Sequence, residues 1–395
     1  MTTQPLLPVG EALDRLLALA PAIDTETLAL PEAAGRWAAE AIAARRTQPE
    51  ADLSAMDGYA IRYADLPGPW RLVGESAAGH PFAGRIDSGE AVRIFTGAAL
   101  PEGADTVMVQ EETERDGENV TLTGEGPRHR GRNVRVKGLD FSDGEILIAA
   151  GERLTPARVA LAAVGGHGTI MVRRRIRVAI AATGDELVPP GEAAPGKLPE
   201  SNGTMLGALI ADLPVKIVNL GILPDSQELL ESAFRQVDAD ILVTTGGASV
   251  GDHDLVRPAL QAAGAEIDFW RIALRPGKPM MAGKLGDTAV MGLPGNPVSA
   301  FVTATLYLRP LIAAMSGASA PVPRTYLAPL GEDIPANGGR KDYLRAALID
   351  GAAYAASIQD SSMLRTLARA NCLILREPGA PAAHKGDSVE ILPIA

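Results

Sequence analysis

Thr244-Thr245-Gly246-Gly247-Ala248-Ser249-Val250-Gly251-Asp252-His253-Asp254 follows directly on the run at residues 239–243, which reads as a buried strand. A strand that breaks into paired glycines, a hydroxyl and then carboxylates exposes backbone N–H groups beside hard oxygen ligands. A phosphate with its divalent cation needs both. Two further loops repeat the pattern. Thr183-Gly184-Asp185-Glu186-Leu187 follows the strand-like run 176–182, and Leu293-Pro294-Gly295-Asn296-Pro297 follows 288–291 and precedes a long apolar helix. In an open parallel sheet the loops at the carboxyl ends of the strands gather over one crevice, so the three loops predict one site.

Working outward, residues 176–317 alternate strands and helices. Runs 176–182, 216–221, 239–243 and 289–292 read as buried strands, with helices at 203–212, 226–237 and 255–263 between them. This is the βαβ texture of a three-layer α/β sandwich with a mostly parallel sheet. Asp225 three residues before Glu228 predicts a capping box, and Asn296-Pro297 predicts a helix start. Upstream, residues 9–19 and 32–45 read as helical, while 52–137 consist of short alternating runs such as 91–95 and 106–110 broken by Gly, Pro and Asp. Residues 138–174 return to a mixed pattern with a helix at 156–164. The expected organisation is multidomain α/β and β: a discontinuous mixed N-terminal domain (1–51 and 138–174), an inserted β-rich domain (52–137), the α/β domain (175–317) and a C-terminal β-barrel-like domain (322–395).

Composition narrows the function. A net charge of −11 argues against general nucleic-acid binding, so any positive field for an anionic ligand must be local. One cysteine excludes a disulfide framework and a thiolate zinc cluster and fits a reducing, cytoplasmic setting. Cys372 itself, inside an apolar run, reads as inert packing. The five histidines lack metal-ligand spacing. No signal-peptide pattern opens the chain and no run of about 18 apolar residues passes without polar interruption, so no membrane partner is expected.

Within the loops, Asp185, Glu186, Asp225 and Asp254 stand at or just after strand ends, where one or two carboxylates plus phosphate oxygens suit magnesium. Taken singly, Asp225 and Asp254 are equally well explained as helix N-caps. Gly246, Gly247, Ser249 and Gly251 fit a phosphate cradle or a tight turn, and Pro294, Gly295, Asn296 and Pro297 fit an anion-binding helix start or an ordinary one. Arg275 and Lys278, separated by Pro276-Gly277, are the best paired cations for a tetrahedral oxyanion in so acidic a chain.

SAMDGYA at 54–60, TGDEL at 183–187, TTGGASVGDHD at 244–254, RPGKP at 275–279 and LPGNP at 293–297 occur in one order along nearly the whole chain. This set resembles the molybdopterin molybdenumtransferase (MoeA-type) family, which includes the C-terminal domain of gephyrin. The resemblance implies insertion of molybdate into adenylylated molybdopterin with release of AMP, magnesium as cofactor, and a cytoplasmic homodimer fed by a molybdopterin adenylyltransferase. It implies that Asp57, Thr96 and Asp140 complete the catalytic set of Asp185, Glu186, Asp225 and Asp254 from the partner subunit, with Glu186, Asp225 and Asp254 on the metal. It also implies Arg345 and Ser362 as anion ligands from the C-terminal domain. Two departures stand out: arginine replaces the usual lysine at 275, and Gly138-Leu139-Asp140 replaces Gly-Glu-Asp. A molybdopterin adenylyltransferase and a non-catalytic scaffold are the alternatives, the first lacking the 54–60 segment and the C-terminal β-domain.

Overall fold

Every residue of Ile241–Thr245 is buried, and its side chains alternate between two cores. Ile241 and Val243 pack with Ile176, Val178, Ile180 and Met291, whereas Leu242 packs with Ala179 and Val290. A strand covered on both faces belongs to a sheet held between helices. The computed structural model describes residues 6–192, 194–246 and 255–394. Its central sheet has six strands, β1 (Ile176–Thr183), β2 (Val215–Leu223), β3 (Ile241–Thr245), β4 (Glu266–Arg271), β5 (Pro279–Leu285) and β6 (Thr288–Leu293), in the order β2-β1-β3-β6-β5-β4. The β2-β1-β3-β6 pairs are parallel, and β5 and β4 extend the sheet antiparallel.

Helices α1 (Asn202–Ile210), α4 (Pro297–Thr303) and α5 (Arg309–Met315) supply Leu206, Val298, Val302 and Leu311 to one core. Helices α2 (Gln227–Arg235) and α3 (Val256–Ala262) supply Leu230, Phe234 and Leu260 to the other. The α4–α5 run, joined by the π-helical turn Ala304–Leu308, is the one described helix long and apolar enough to cross a membrane. Its apolar window is 83% buried inside the protein.

The segments before and after the inserted unit pair with each other, Thr25–Ala29 with Thr169–Arg173 and Ile42–Ala43 with Ile146–Ile148. The inserted unit is a six-stranded sheet with Gly58–Ile61 between Thr106–Val109 and Glu90–Ile94. After α5 come β7 (Tyr326–Pro329), β8 (Lys341–Ile349), β9 (Ala352–Ala355), α6 (Leu364–Arg369), β10 (Cys372–Arg376) and β11 (Ser388–Pro393). The ladder β9-β8-β10-β11-β7 returns on itself through a bridge between Leu330 and Ala353. Cys372 is buried in its core, and burial pushes the thiol pKa up.

Four expectations are corrected. Residues 32–45 are not a helix: Leu30–Ala33 makes a single turn, Gly35 takes φ +80°, and the chain continues through bridges at Trp37 and Ala38. The alanine spacing suggested a helix, but the left-handed glycine breaks it. The run 216–221 is a strand, but β2 is an edge strand paired only with β1, and its residues are largely open to solvent. The hairpin of β4 and β5 was not anticipated, since Gly283 and Lys284 blur the strand pattern of β5. Asp225 does not cap α2; Ser226 is the N-cap residue, and no side chain bonds there.

Candidate active site

Parallel pairing brings the carboxyl ends of β1, β2, β3 and β6 to one edge. There the Thr183 hydroxyl donates to the Thr245 carbonyl at 3.3 Å, and the Gly246 N–H donates to the Leu293 carbonyl at 3.3 Å. Gly246 has φ +90°, and a Cβ there would lie 2.7 Å from the Thr183 carbonyl oxygen. Only glycine suits both the backbone conformation and the close approach of neighbouring strands. Its N–H is committed to Leu293, so Gly246 shapes the cradle rather than presenting a free donor.

Asp185 and Asp225 lock the ends of β1 and β2 together. The Asp225 N–H donates to Asp185 Oδ1 at 3.0 Å, and the Asp185 N–H donates to Asp225 Oδ2 at 3.3 Å. Each exposed carboxylate thus uses one oxygen on the opposite backbone. Glu186 folds back over Gly184, where a Cβ would lie 2.5 Å from Glu186 Oε2. Lys197, which the sequence reading passed over, donates from Nζ to the Asp185 carbonyl at 2.6 Å. Among the described residues no group of three or more His, Cys, Asp or Glu forms a metal cluster. Gly247, Ser249, Gly251 and Asp254 lie outside the described residues.

The Pro294–Pro297 turn is held from two sides. Asn202 Nδ2 donates to the Gly295 carbonyl at 2.8 Å, while Asn202 Oδ1 is buried with no partner. Asn202 was also missed; its signal was a polar residue opening a helix that faces the loop edge. Pro294 is buried, and Pro297 begins α4. Asn296 is the N-cap residue of α4, as the Asn-Pro pair predicts, but its side chain makes no capping bond; its Nδ2 donates to Ser361 Oγ at 3.2 Å, and the Val298 N–H donates to the Ser361 carbonyl at 3.1 Å. One orphan donor of the helix start is therefore satisfied by the C-terminal domain instead of an anion.

The expected cation pair separates. Arg275 bonds to Asp342, whose side chain is 3% exposed, so this arginine ties the turn to β8. Lys278 is half-buried and has no ion pair among the described residues. The turn itself is closed by the Ile272 N–H on the Lys278 carbonyl at 2.8 Å. Arg345, expected as an anion ligand, is 1% exposed. Its Nη2 donates to the carbonyls of Ile358 and Asp360 at 3.3 and 3.0 Å, its Nε has no partner, and burial pushes the guanidinium pKa down. Arg345 thus positions the segment carrying exposed Ser362, whose hydroxyl and N–H both donate to Asp360 Oδ1. Those bonds lower the Asp360 pKa.

In the inserted unit, Asp57 and Thr96 do meet. Asp57 Oδ1 accepts from the Thr96 N–H at 2.7 Å and the Thr96 hydroxyl at 2.8 Å, and these bonds, with Arg93 adding its charge, hold the carboxyl below its ordinary pKa. Asp140 is exposed and its backbone N–H donates to Gln48. No hydrogen bond among the described residues links Asp57, Thr96 or Asp140 to the loops of the central sheet.

This architecture has known counterparts. Residues 7–166 match the MoeA N-terminal region (domain I and II), 179–314 a probable molybdopterin binding domain, and 327–394 the MoeA C-terminal region (domain IV). The chain is 35% identical to molybdopterin molybdenumtransferase of Haemophilus influenzae over 98% of both chains. It is 33% identical to the Nostoc enzyme of the same name over 93% of this chain and 88% of that one. A crystal structure of the molybdopterin biosynthesis MoeA protein from Pyrococcus horikoshii superposes with TM-score 0.85 at 28% identity, covering 98% of this chain and all of the other. Fold and site together define a multidomain α/β and β protein with a molybdopterin-binding type of central domain. The chain belongs to the molybdopterin molybdenumtransferase (MoeA) family of molybdenum cofactor biosynthesis.

Proposed function

We propose that the protein inserts molybdate into adenylylated molybdopterin, releasing AMP and molybdenum cofactor, in a crevice completed by a second copy of the chain. The observation that carries this reading is the reciprocal Asp185–Asp225 clasp, set beside the Thr245-Gly246 and Pro294–Pro297 turns at one sheet edge. The full-length match to both outer MoeA regions favours it over an adenylyltransferase.

Asp225 and Glu186 would offer magnesium hard oxygens of the kind it takes, with Asp254, outside the described residues, as the third carboxylate and phosphate oxygens and water as the remaining ligands. Magnesium there would neutralise phosphate charge. Asp185 and Asp225 hold the loop ends in place, and the Pro294–Pro297 turn lies against Ser361 so that the C-terminal domain borders the crevice. Lys278 supplies local positive charge for molybdate in an acidic chain, while Arg275 acts through Asp342 as an anchor. Attack on the AMP phosphorus by an oxygen of water or molybdate breaks the phosphoanhydride P–O bond, so that AMP leaves and the pterin keeps its phosphate, while the oxygen that the dithiolene displaces from molybdate ends in AMP or in water. The pterin dithiolene provides sulfur ligands for molybdenum, in keeping with a chain of one cysteine. Among the described residues no hydrogen bond joins Asp57, Thr96 or Asp140 to the loops of the central sheet, in keeping with their acting across a homodimer, which we place in the cytoplasm. Substrate would come from a molybdopterin adenylyltransferase.

The test is incubation of purified protein with adenylylated molybdopterin, molybdate and magnesium, followed by chromatography of nucleotides and pterins. AMP and molybdenum cofactor should appear together. Adenylylated product from ATP and molybdopterin would instead make the protein an adenylyltransferase, and inert substrates would make it a scaffold.

A further inference from the structure

A cavity of about 490 Å³ opens in the C-terminal domain, on the stretch of chain that flanks Gln359–Ser362. Ala346, Ala355, Ile358 and Met363 give it an apolar floor, Ser357 and Thr366 add hydroxyls, and Arg365 and Arg369 line its wall. The two arginines stand one turn apart on α6 and so share a face, where like charges repel. No aspartate or glutamate lines the cavity, and neither arginine has an ion pair or hydrogen bond among the described residues. Elsewhere in this acidic chain Arg174, Arg177, Arg235 and Arg309 each meet a carboxylate.

We propose that this cavity binds an amphipathic organic anion, its phosphate or carboxylate between Arg365 and Arg369 and its apolar body on Ala355, Ile358 and Met363. The volume falls within the roughly 300–1,000 Å³ of small-molecule sites, and paired guanidinium groups hold an oxyanion through several charge-assisted hydrogen bonds. An apolar floor beneath a cationic wall excludes a fully hydrated inorganic ion as the best ligand, because such an ion leaves that floor uncovered. The site does not rest on the function proposed for the crevice. It adjoins that crevice all the same, since Ile358 is held by Arg345 and Ser361 touches the start of α4.

The test uses the intact protein with methyl-labelled methionine, the Met363 signal being assigned with Met363→Leu. Titration with 1-naphthyl phosphate should shift that signal saturably, and 1-naphthoate should do so if a carboxylate is accepted as well. Arg365→Gln/Arg369→Gln should weaken binding about tenfold or more, whereas Arg85→Gln/Arg115→Gln, on the distant β-rich unit, should leave it unchanged. Inorganic phosphate should bind about tenfold more weakly than the naphthyl ester, as expected when the apolar body adds its own burial. Unchanged affinity in the first double variant, equal loss in the second, or equal binding of inorganic phosphate would overturn the proposal. Should Arg365→Gln/Arg369→Gln fail to fold, Ala355→Leu, which fills the floor, must abolish the Met363 shift; a shift that persists in it also overturns the proposal.

Discussion

Replacing Arg275 by glutamine separates its two roles, anchor and oxyanion ligand. Asp342 is almost wholly buried and Arg275 is its ion-pair partner, while the arginine side chain itself is 53% exposed. Breaking a fully buried pair costs about 3–5 kcal/mol. Solvent at the Arg275 end screens this one, so a loss of about 1–2 kcal/mol is expected. For a cooperative unit the size of the central and C-terminal domains, that lowers the melting temperature by about 2–8 °C. Adding Asp342→Asn removes the stranded charge, and the double variant should recover most of the loss, giving a coupling energy on the order of 1 kcal/mol in a double-mutant cycle. Thermal denaturation of the four proteins supplies the cycle, and the molybdate dependence of AMP release runs alongside. Anchoring predicts a changed melting temperature with half-saturating molybdate nearly unchanged. An Arg275→Gln protein with normal stability and a raised molybdate requirement would refute the reasoning and return Arg275 to the oxyanion.

Lys278→Gln should do the reverse, raising half-saturating molybdate about tenfold or more with little change in stability; a melting defect alone would assign Lys278 to packing. Gly246→Ala forces a side chain into a φ of +90° against the Thr183 carbonyl and should cost about 1–3 kcal/mol, measured by urea denaturation. Asp57 has a folded-state pKa below its unfolded value, so its contribution to stability is present above the unfolded pKa of about 4 and is lost as pH falls through the folded value. Thr96→Val should raise the Asp57 titration midpoint observed by carboxyl carbon NMR, and an unmoved midpoint would dissolve the Thr96 contact. Mixed Asp57→Ala and Asp225→Ala protomers should regain part of the activity each lacks, through heterodimers with one intact crevice; no recovery after verified subunit exchange would place both residues in one subunit's site.

What the linear sequence determined is the part governed by local pattern. Strands β1, β3 and β6 are covered on both faces, so they read as continuous apolar runs, and the helix at Pro156–Val164 begins with Thr155 accepting from the Arg158 N–H. Glycines and carboxylates after those strands marked one edge because parallel strands send their carboxyl ends the same way. The roles of individual polar residues were decided by partners far away in the chain. Asp225 looked like a cap until β1 placed Asp185 beside it, 40 residues distant, and Arg275 looked free until β8 delivered Asp342, 67 residues distant. Arginine is usually exposed, yet the middle of β8 is enclosed by β10 and the 356–360 segment, and Arg345 is buried there. Edge or centre likewise separates β2 from β3, though both are rich in aliphatic residues. Periodicity and turn chemistry are local and survive in a single chain of letters; burial and charge pairing depend on which segments the fold brings together.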